Sequence, residues 1–227
     1  VVEPFDIPLN MFDTSNASNT RAAWLDRVKF FNDVLRKIFG NVGPVQQTNI
    51  KNAAKAAYES AKAFGRQDPT LKDVFDEYKE LIGSKIDAPY SIMDNLVEGM
   101  HFTESQDQVI PFSQFLKGVV VVDLSKAGAD DETKNMLVAV FLNLFYEHML
   151  SIEKKPFLGA KGDQRRFVDT MLLVDEADNI MKYEFPVLKQ ILLQGREFGV
   201  GVLLASQYLS HFKTSNENYA EPLNSWF

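Results

Sequence analysis

The spacing of apolar and polar positions in the first half of the chain predicts a series of amphipathic helices. Apolar side chains recur there every three or four residues. The predicted helices cover residues 20–39, 46–64, 70–82 and 89–99. Thr70 and Asp73 have the spacing of a capping box at the start of the third helix. No chemical motif accompanies this pattern, which therefore indicates a lid or a subunit-contact subdomain.

The second half of the chain predicts strands and helices in alternation. The predicted strands cover residues 119–124, 171–174 and 200–205. The β-branched run at 119–124 predicts a fully buried strand, and the apolar run at 171–174 predicts a buried parallel strand. Residues 130–152 form the longest predicted helix and have a broad apolar face. Another helix is predicted from Pro186 to Gly195, between the last two strands. A helix in that place implies that the two strands pair in parallel.

Polar groups directly follow these last two strands. Asp175 and Glu176 follow the second strand, and Ser206 and Gln207 follow the third. Open α/β sheets bind ligands outside the carboxyl ends of their strands. One carboxylate can hold Mg²⁺ through its water shell, and its neighbour can orient a water molecule against a phosphoryl group. The acid pair therefore has the form of a Walker B segment, although a strand that ends in acids can also simply meet solvent.

Other polar residues give weaker signals. Asp178 is interpreted as a helix cap in preference to a catalytic acid. The basic loop Lys154–Arg166 could contact phosphate, but a solvated loop is the favoured interpretation. The three histidines lack the spacing of metal ligands, and the sequence indicates no Ser-His-Asp arrangement; these histidines are His101, His148 and His211.

Composition and absent motifs limit the interpretation. None of the 12 glycines is followed by lysine, so the chain contains no G-x-x-x-x-G-K-[ST] phosphate-binding loop. The net charge of −7 gives no global attraction for nucleic acid. The chain has no cysteine and no apolar run long enough to span a membrane, so we expect a cytoplasmic protein without a membrane partner. Because the chain starts at Val1 without a basic leader, we expect it to be part of a longer parent protein that carries the missing loop upstream.

Three segments resemble the HerA/FtsK group of RecA-like ATPases, which includes the VirB4/TraG-type translocases. They are Leu172–Asp178, Gln194–Gly199 and Gly201–Gln207. The resemblance extends over roughly residues 69–210 with the order of elements intact, and it departs from the group in the absent phosphate-binding loop. More narrowly, the sequence resembles the DptH-type helicase-like component of phosphorothioate-linked restriction.

The resemblance implies an α/β fold, a partial RecA-like three-layer fold with a mainly parallel sheet and an α-helical insertion subdomain. Residues 1–12 would supply a strand segment of the ATPase core. Residues 13–108 would form the helical insertion, and residues 109–227 would form the core that contains the Walker B segment. Both ends of that core are expected to continue in the parent protein.

The resemblance also implies roles for the polar residues at the strand ends. ATP and Mg²⁺ would be the cofactors. Asp175 would be the acid associated with Mg²⁺ through water, and Glu176 would be the catalytic base. Gln207 would sense the γ-phosphate, and Ser206 would lie beside it in the nucleotide site.

Arg196 is similar to a family arginine that reaches the nucleotide of a neighbouring subunit. The alternative is a surface arginine that pairs with Glu197 or another nearby acid. The family resemblance implies a homo-oligomer, a hexamer, that couples ATP hydrolysis to DNA translocation or remodelling, with other proteins of a prokaryotic DNA-defence system as further partners. Two alternatives remain: a non-catalytic interaction module that keeps the fold, and a conjugation or secretion motor.

Overall fold

The structure, a computed structural model, divides into two compact units, Val1–Leu137 and Val138–Phe227. It describes residues 1–15, 22–127, 131–159 and 165–223. The first unit is mainly helical and the second contains a parallel sheet, so the chain is mixed α/β, as the sequence predicts.

The helices of the first unit confirm the predicted helical series. They are α1 (Ala23–Phe39), α2 (Pro44–Ala63), α3 (Leu71–Ile82), α4 (Ala88–Glu98) and the single turn α5 (Phe112–Phe115). The predicted capping box is present: the Thr70 backbone N–H donates to Asp73 Oδ2 at 2.7 Å, and the Thr70 side chain accepts from the Asp73 N–H at 3.3 Å. Four small residues of α2 are fully or almost fully buried: Ala53, Ala54, Ala57 and Ala61. Small side chains permit the close packing of α2 on α3.

The prediction of a fully buried strand at residues 119–124 is wrong. Only Val122 makes a bridge, in parallel with Val2, and the side chains of Val119 and Val121 are 91% and 51% exposed. A β-branched run favours extended backbone, but burial needs neighbours on both sides. Among the described residues this segment has only one strand partner.

The second unit contains the predicted strand–helix–strand order. Helix α6 (Asp131–Ser151) includes the boundary between the units, and the elements that follow it are β1 (Thr170–Val174), α7 (Asp178–Met181), α8 (Pro186–Gln194) and β2 (Val200–Leu204). The strands β1 and β2 pair in parallel, with Thr170 opposite Val200 and Val174 opposite Leu204. The predicted parallel pairing is therefore confirmed.

The sheet is buried less than the sequence predicts. Met171 and Leu173 of β1 are 61% and 65% exposed, and Leu203 of β2 is 42% exposed. A continuous apolar run is typical of a strand covered on both faces. The described residues leave one face of this two-stranded sheet open, so the prediction of a buried strand at 171–174 is wrong.

A glycine fixes the turn into β2. Gly199 has φ +78°, and its carbonyl accepts from the N–H groups of Asp169 and Thr170 at 3.0 and 3.2 Å. A Cβ at this position would lie 2.9 Å from the Lys155 side chain and 2.9 Å from the Phe167 carbonyl oxygen. Both the left-handed backbone and the lack of space therefore require glycine.

We expect Gly199→Ala to lower the free energy of unfolding of the second unit by about 2–5 kcal/mol, since left-handed strain adds to overpacking. Gly40→Ala is the matched control, because Gly40 has φ +70° but open space around it. The control should cost only the strain, about 1–2 kcal/mol. Hydrogen exchange of β2 amides and of α1 amides measures the two effects, and equal losses would contradict the steric explanation.

Candidate functional site

The carboxyl ends of β1 and β2 are joined beyond the strands themselves. The Ala205 N–H donates to the Val174 carbonyl at 2.9 Å, and the Ala177 N–H donates to the Ala205 carbonyl at 2.8 Å. These two bonds hold the acidic turn after β1 against the backbone that leads into Ser206. The predicted convergence of the two polar strand ends is therefore present.

The acidic turn exposes both carboxylates. Asp175 Oδ1 accepts from the Glu176 N–H at 3.0 Å, and the Glu176 carbonyl accepts from the Asn179 N–H at 3.0 Å. Glu176 has φ +48°, in the left-handed region that residues with a Cβ rarely adopt. Such a conformation costs of order 1–3 kcal/mol and persists only when the surrounding bonds hold it. The turn is thus fixed with its two acids directed to solvent.

The exposed acids fit a hydrated magnesium ion. Carboxylate oxygens are hard ligands, and Mg²⁺ in phosphoryl-transfer sites takes one or two of them together with waters and substrate phosphates. Within the described ranges, no group of three or more His, Cys, Asp or Glu side chains is arranged to hold a metal. Asp175 and Glu176 therefore fit a shared site with phosphate better than a cage built from protein alone.

Ser206 lies at the centre of a small hydrogen-bonded cluster. Its hydroxyl donates to Asp178 Oδ1 at 2.9 Å, and His211 Nδ1 lies 2.8 Å from Ser206 Oγ. The prediction that Asp178 caps a helix is wrong: Asp178 is the first residue of α7, and its carboxylate binds Ser206 instead. Gln207, the next residue, is exposed.

This cluster was missed by the sequence prediction. The residues Asp178, Ser206 and His211 have no diagnostic spacing, and they meet only because β1 and β2 pair in parallel register. Their geometry is not that of a nucleophilic triad, in which histidine bridges serine and acid. Here the serine hydroxyl contacts both partners, and His211 Nδ1 is 3.7 Å from Asp178 Oδ2.

The structure does not bring Arg196 to the acidic turn of the same chain. Arg196 is exposed in the 3₁₀ turn Gly195–Phe198, which precedes β2, whereas the acids follow β1. Because the strands are parallel, the two features lie at opposite ends of the sheet. Five residues at about 3.3 Å each separate them by about 16 Å along the strands.

The neighbouring acid is held mainly by another cation. Glu197 pairs with Lys154 at 2.5 Å, and this hydrogen bond is the main cause of the lowered pKa of Glu197, to which the charge of Arg196 adds a smaller effect. A direct bond between Arg196 and Glu197 is thus not what fixes that carboxylate.

Several cations of the basic loop also have partners at this amino end of the sheet. Lys155 pairs with Asp169 at 2.6 Å, and the Arg166 guanidinium lies 4.0 Å from the centre of the Phe157 ring. Lys161, in the same loop, lies outside the described residues. The described part of the loop therefore joins the start of β1 to the turn before β2.

The segment after β2 is organised around one carboxylate. Glu184 accepts from the side chains of Thr214 and Ser215 and from the backbone and side chain of Asn216. These donors, Thr214 first, lower the pKa of Glu184 to about 2. The Glu184 carboxylate thus ties the loop after the 3₁₀ turn Leu209–Phe212 to the start of α8.

Comparison with known proteins gives a likeness at the level of the fold. No protein-family model matches the chain. No curated protein matches it. Among solved structures, the chain is similar to VirB4 of Thermoanaerobacter pseudethanolicus, with a TM-score of 0.54 and 13% identity over 94% of this chain. That match confirms the predicted fold class, a partial RecA-like α/β fold, and at this identity it shows the fold alone.

The chain spans 56% of the VirB4 chain that it matches. In the part of the sequence that the structure describes, every helix is too short or too polar to cross a membrane.

We expect Glu184→Gln to remove part of the pH dependence of the second unit. Because the folded pKa is below the value of about 4.3 for an unfolded glutamate, the carboxylate stabilises the fold above that value and loses its effect as pH falls towards 2. The variant should therefore have a lower free energy of unfolding at pH 6 and a smaller loss between pH 5 and 3. Glu98→Gln, at the exposed end of α4, is the control for removal of one carboxylate. Equal acid sensitivity in wild type and Glu184→Gln would contradict this assignment.

Proposed function

We propose that the chain is the Walker B-containing part of a VirB4-like motor ATPase. The observation that carries the proposal is the pair of joined strand ends, with Asp175 and Glu176 after β1 and Ser206 and Gln207 after β2. Ligands of open α/β sheets bind at this edge. The fold-level likeness to VirB4 and the family resemblance of the same segments also support the proposal.

Each residue at the edge has a chemical task in this proposal. Mg²⁺, when bound with ATP, neutralises phosphate charge. Asp175 holds the hydrated ion through its outward carboxylate, and Glu176 orients and deprotonates the attacking water. Gln207 contacts the terminal phosphate, next to Ser206. The proposal also needs a phosphate-binding loop with its lysine, which this sequence does not contain.

The proposal includes a homo-oligomer, because Arg196 cannot serve the acids of its own sheet. It lies about 16 Å from them along parallel strands, estimated from strand geometry. An exposed arginine at the opposite end can instead reach the nucleotide of a neighbouring subunit. An arginine supplied in this way stabilises the charge of the transition state and can raise the rate by about 10³ to 10⁵.

The transported substrate is a separate part of the proposal. We favour a conjugation or secretion motor, because the structural likeness is to VirB4. DNA translocation in a defence system stays a prediction from the resemblance. Three described cations of the basic loop, Lys154, Lys155 and Arg166, already contact groups of the same unit, which leaves less of that loop for phosphate.

In the parent protein, we expect Glu176→Gln to keep ATP binding and to lower hydrolysis at least about a hundredfold, because it removes the base and keeps the volume. Asp175→Asn should instead weaken Mg²⁺-dependent nucleotide binding. Calorimetry with ATP and Mg²⁺ and a phosphate-release assay separate the two effects.

Glu153→Gln is the control in these assays, since it changes a carboxylate that lies before β1 and outside the proposed site. Hydrolysis by Glu176→Gln at the wild-type rate would contradict the proposed base. Failure of the wild-type parent to hydrolyse ATP would favour the non-catalytic interaction module.

Mixing experiments test the role of Arg196 between subunits. Arg196→Ala and Glu176→Gln oligomers should each be inactive, but a mixed oligomer contains some interfaces with both native residues. We therefore expect partial recovery of hydrolysis, with a maximum at intermediate mixing ratios. A rate that never exceeds the sum of the two pure variants would show that Arg196 acts within its own subunit or only in folding.

A further inference from the structure

The cluster of Asp178, Ser206 and His211 connects three segments at the candidate site. Asp178 begins α7, directly after the acidic turn. Ser206 follows β2, and His211 lies in the 3₁₀ turn Leu209–Phe212. The side chains of Asp178 and His211 are 32% and 33% exposed, so the cluster is shielded without being enclosed. The cluster joins the strand ends through side chains, in addition to the two backbone hydrogen bonds described above.

The contacts determine where the protons lie. An ionised carboxylate only accepts hydrogen bonds, so the single Ser206 proton goes to Asp178. The Ser206 oxygen must then accept its second bond, at 2.8 Å, from a protonated His211 Nδ1. Neutral His211 is therefore held as the Nδ1–H tautomer, and its Nε2 is left as an acceptor.

The cluster also restrains the residue beside it. With its hydroxyl engaged on both sides, Ser206 cannot rotate freely, and the backbone that continues into Gln207 is held next to the acidic turn. The Tyr208 ring contacts the His211 ring edge to face, with centroids 5.2 Å apart. The Ser206–His211 bond spans Gln207 in the sequence and closes a short loop, in which Gln207 remains exposed.

We propose that Asp178 and His211 are positioning residues, which fix Ser206 and thereby hold Gln207 at the phosphate edge of the site. This inference rests on the proposed ATPase function. Neither residue needs to touch nucleotide. They keep the Gln207 side chain, which senses phosphate, at a fixed position relative to Asp175 and Glu176.

The proton assignment can be measured on this chain without nucleotide. Two-bond ¹⁵N–¹H correlation spectra of the neutral ring should show His211 as the Nδ1–H tautomer. His101 is an internal reference, because its Nδ1 lies 2.7 Å from the Pro4 carbonyl, which can only accept. An Nε2–H tautomer for His211 in the wild-type chain would overturn the proposal.

Substitution of Asp178 provides the sharper spectroscopic test. In Asp178→Ala the Ser206 hydroxyl loses its acceptor and turns to His211, so the ring should change to Nε2–H. In Asp178→Asn the amide oxygen can still accept the Ser206 proton, so the native tautomer should persist. This variant keeps the test usable if Asp178→Ala does not fold. An unchanged tautomer in folded Asp178→Ala would overturn the assignment.

The parent protein tests the effect on hydrolysis. Because a displacement of about 1 Å in a positioned group can cost about a hundredfold, Asp178→Ala and His211→Phe should lower kcat by ten- to a hundredfold with KM for ATP changed less than threefold. His211→Gln keeps a side-chain N–H donor and should recover part of the rate. Ser151→Ala, which removes one bond to the His148 carbonyl at the exposed end of α6, is the control and should leave kcat unchanged.

Two negative results are distinguishable. Wild-type kcat in both Asp178→Ala and His211→Phe would overturn the positioning role and leave the proposed function intact. Hydrolysis at the wild-type rate by Glu176→Gln would overturn the proposed function, and with it the role of the cluster in catalysis. The tautomer measurement would still report whether the hydrogen bonds exist.

Discussion

The parallel pairing of β1 with β2 is the interaction on which the candidate site depends. Its register places Val174 opposite Leu204, and two further backbone hydrogen bonds carry the pairing to Ala177 and Ala205. Without them, residues about 30 positions apart in the sequence would have no fixed relation. With them, the acids after one strand and the Ser-Gln pair after the other share one edge, and the Ser206 hydroxyl can reach Asp178.

The parallel pairing also determines which residues lie at opposite edges of the sheet. Residues that follow the strands meet at the carboxyl edge, while Arg196, the described part of the basic loop and the Gly199 turn lie at the amino edge. The carboxyl edge of the sheet therefore carries exposed acids, and the amino edge carries cations, of which Arg196 is exposed. In the proposed oligomer these edges belong to adjacent nucleotide sites, so each site would need residues from two chains.

Local patterns predicted most of the elements, with the strand at residues 119–124 as the exception, and predicted burial poorly. The helices of the first unit, the Thr70 capping box and the parallel strands follow from periodicity, caps and chain order, which act over a few residues. The exposure of Met171 and of Val119 could not be predicted, because an apolar run shows that a strand can be covered but not what covers it. The role of Asp178 was mistaken for a related reason: its partner Ser206 is 28 residues away and becomes a neighbour only through strand register.

A structure of the parent oligomer with Mg²⁺ and a non-hydrolysable ATP analogue tests the central claim most directly. We expect the terminal phosphate at the carboxyl edge of β1 and β2, with the hydrated ion beside Asp175 and the Gln207 side chain near the phosphate. We also expect the arginine at the interface to be Arg196 of an adjacent subunit. Nucleotide bound at the amino edge, or away from this sheet, would contradict the account.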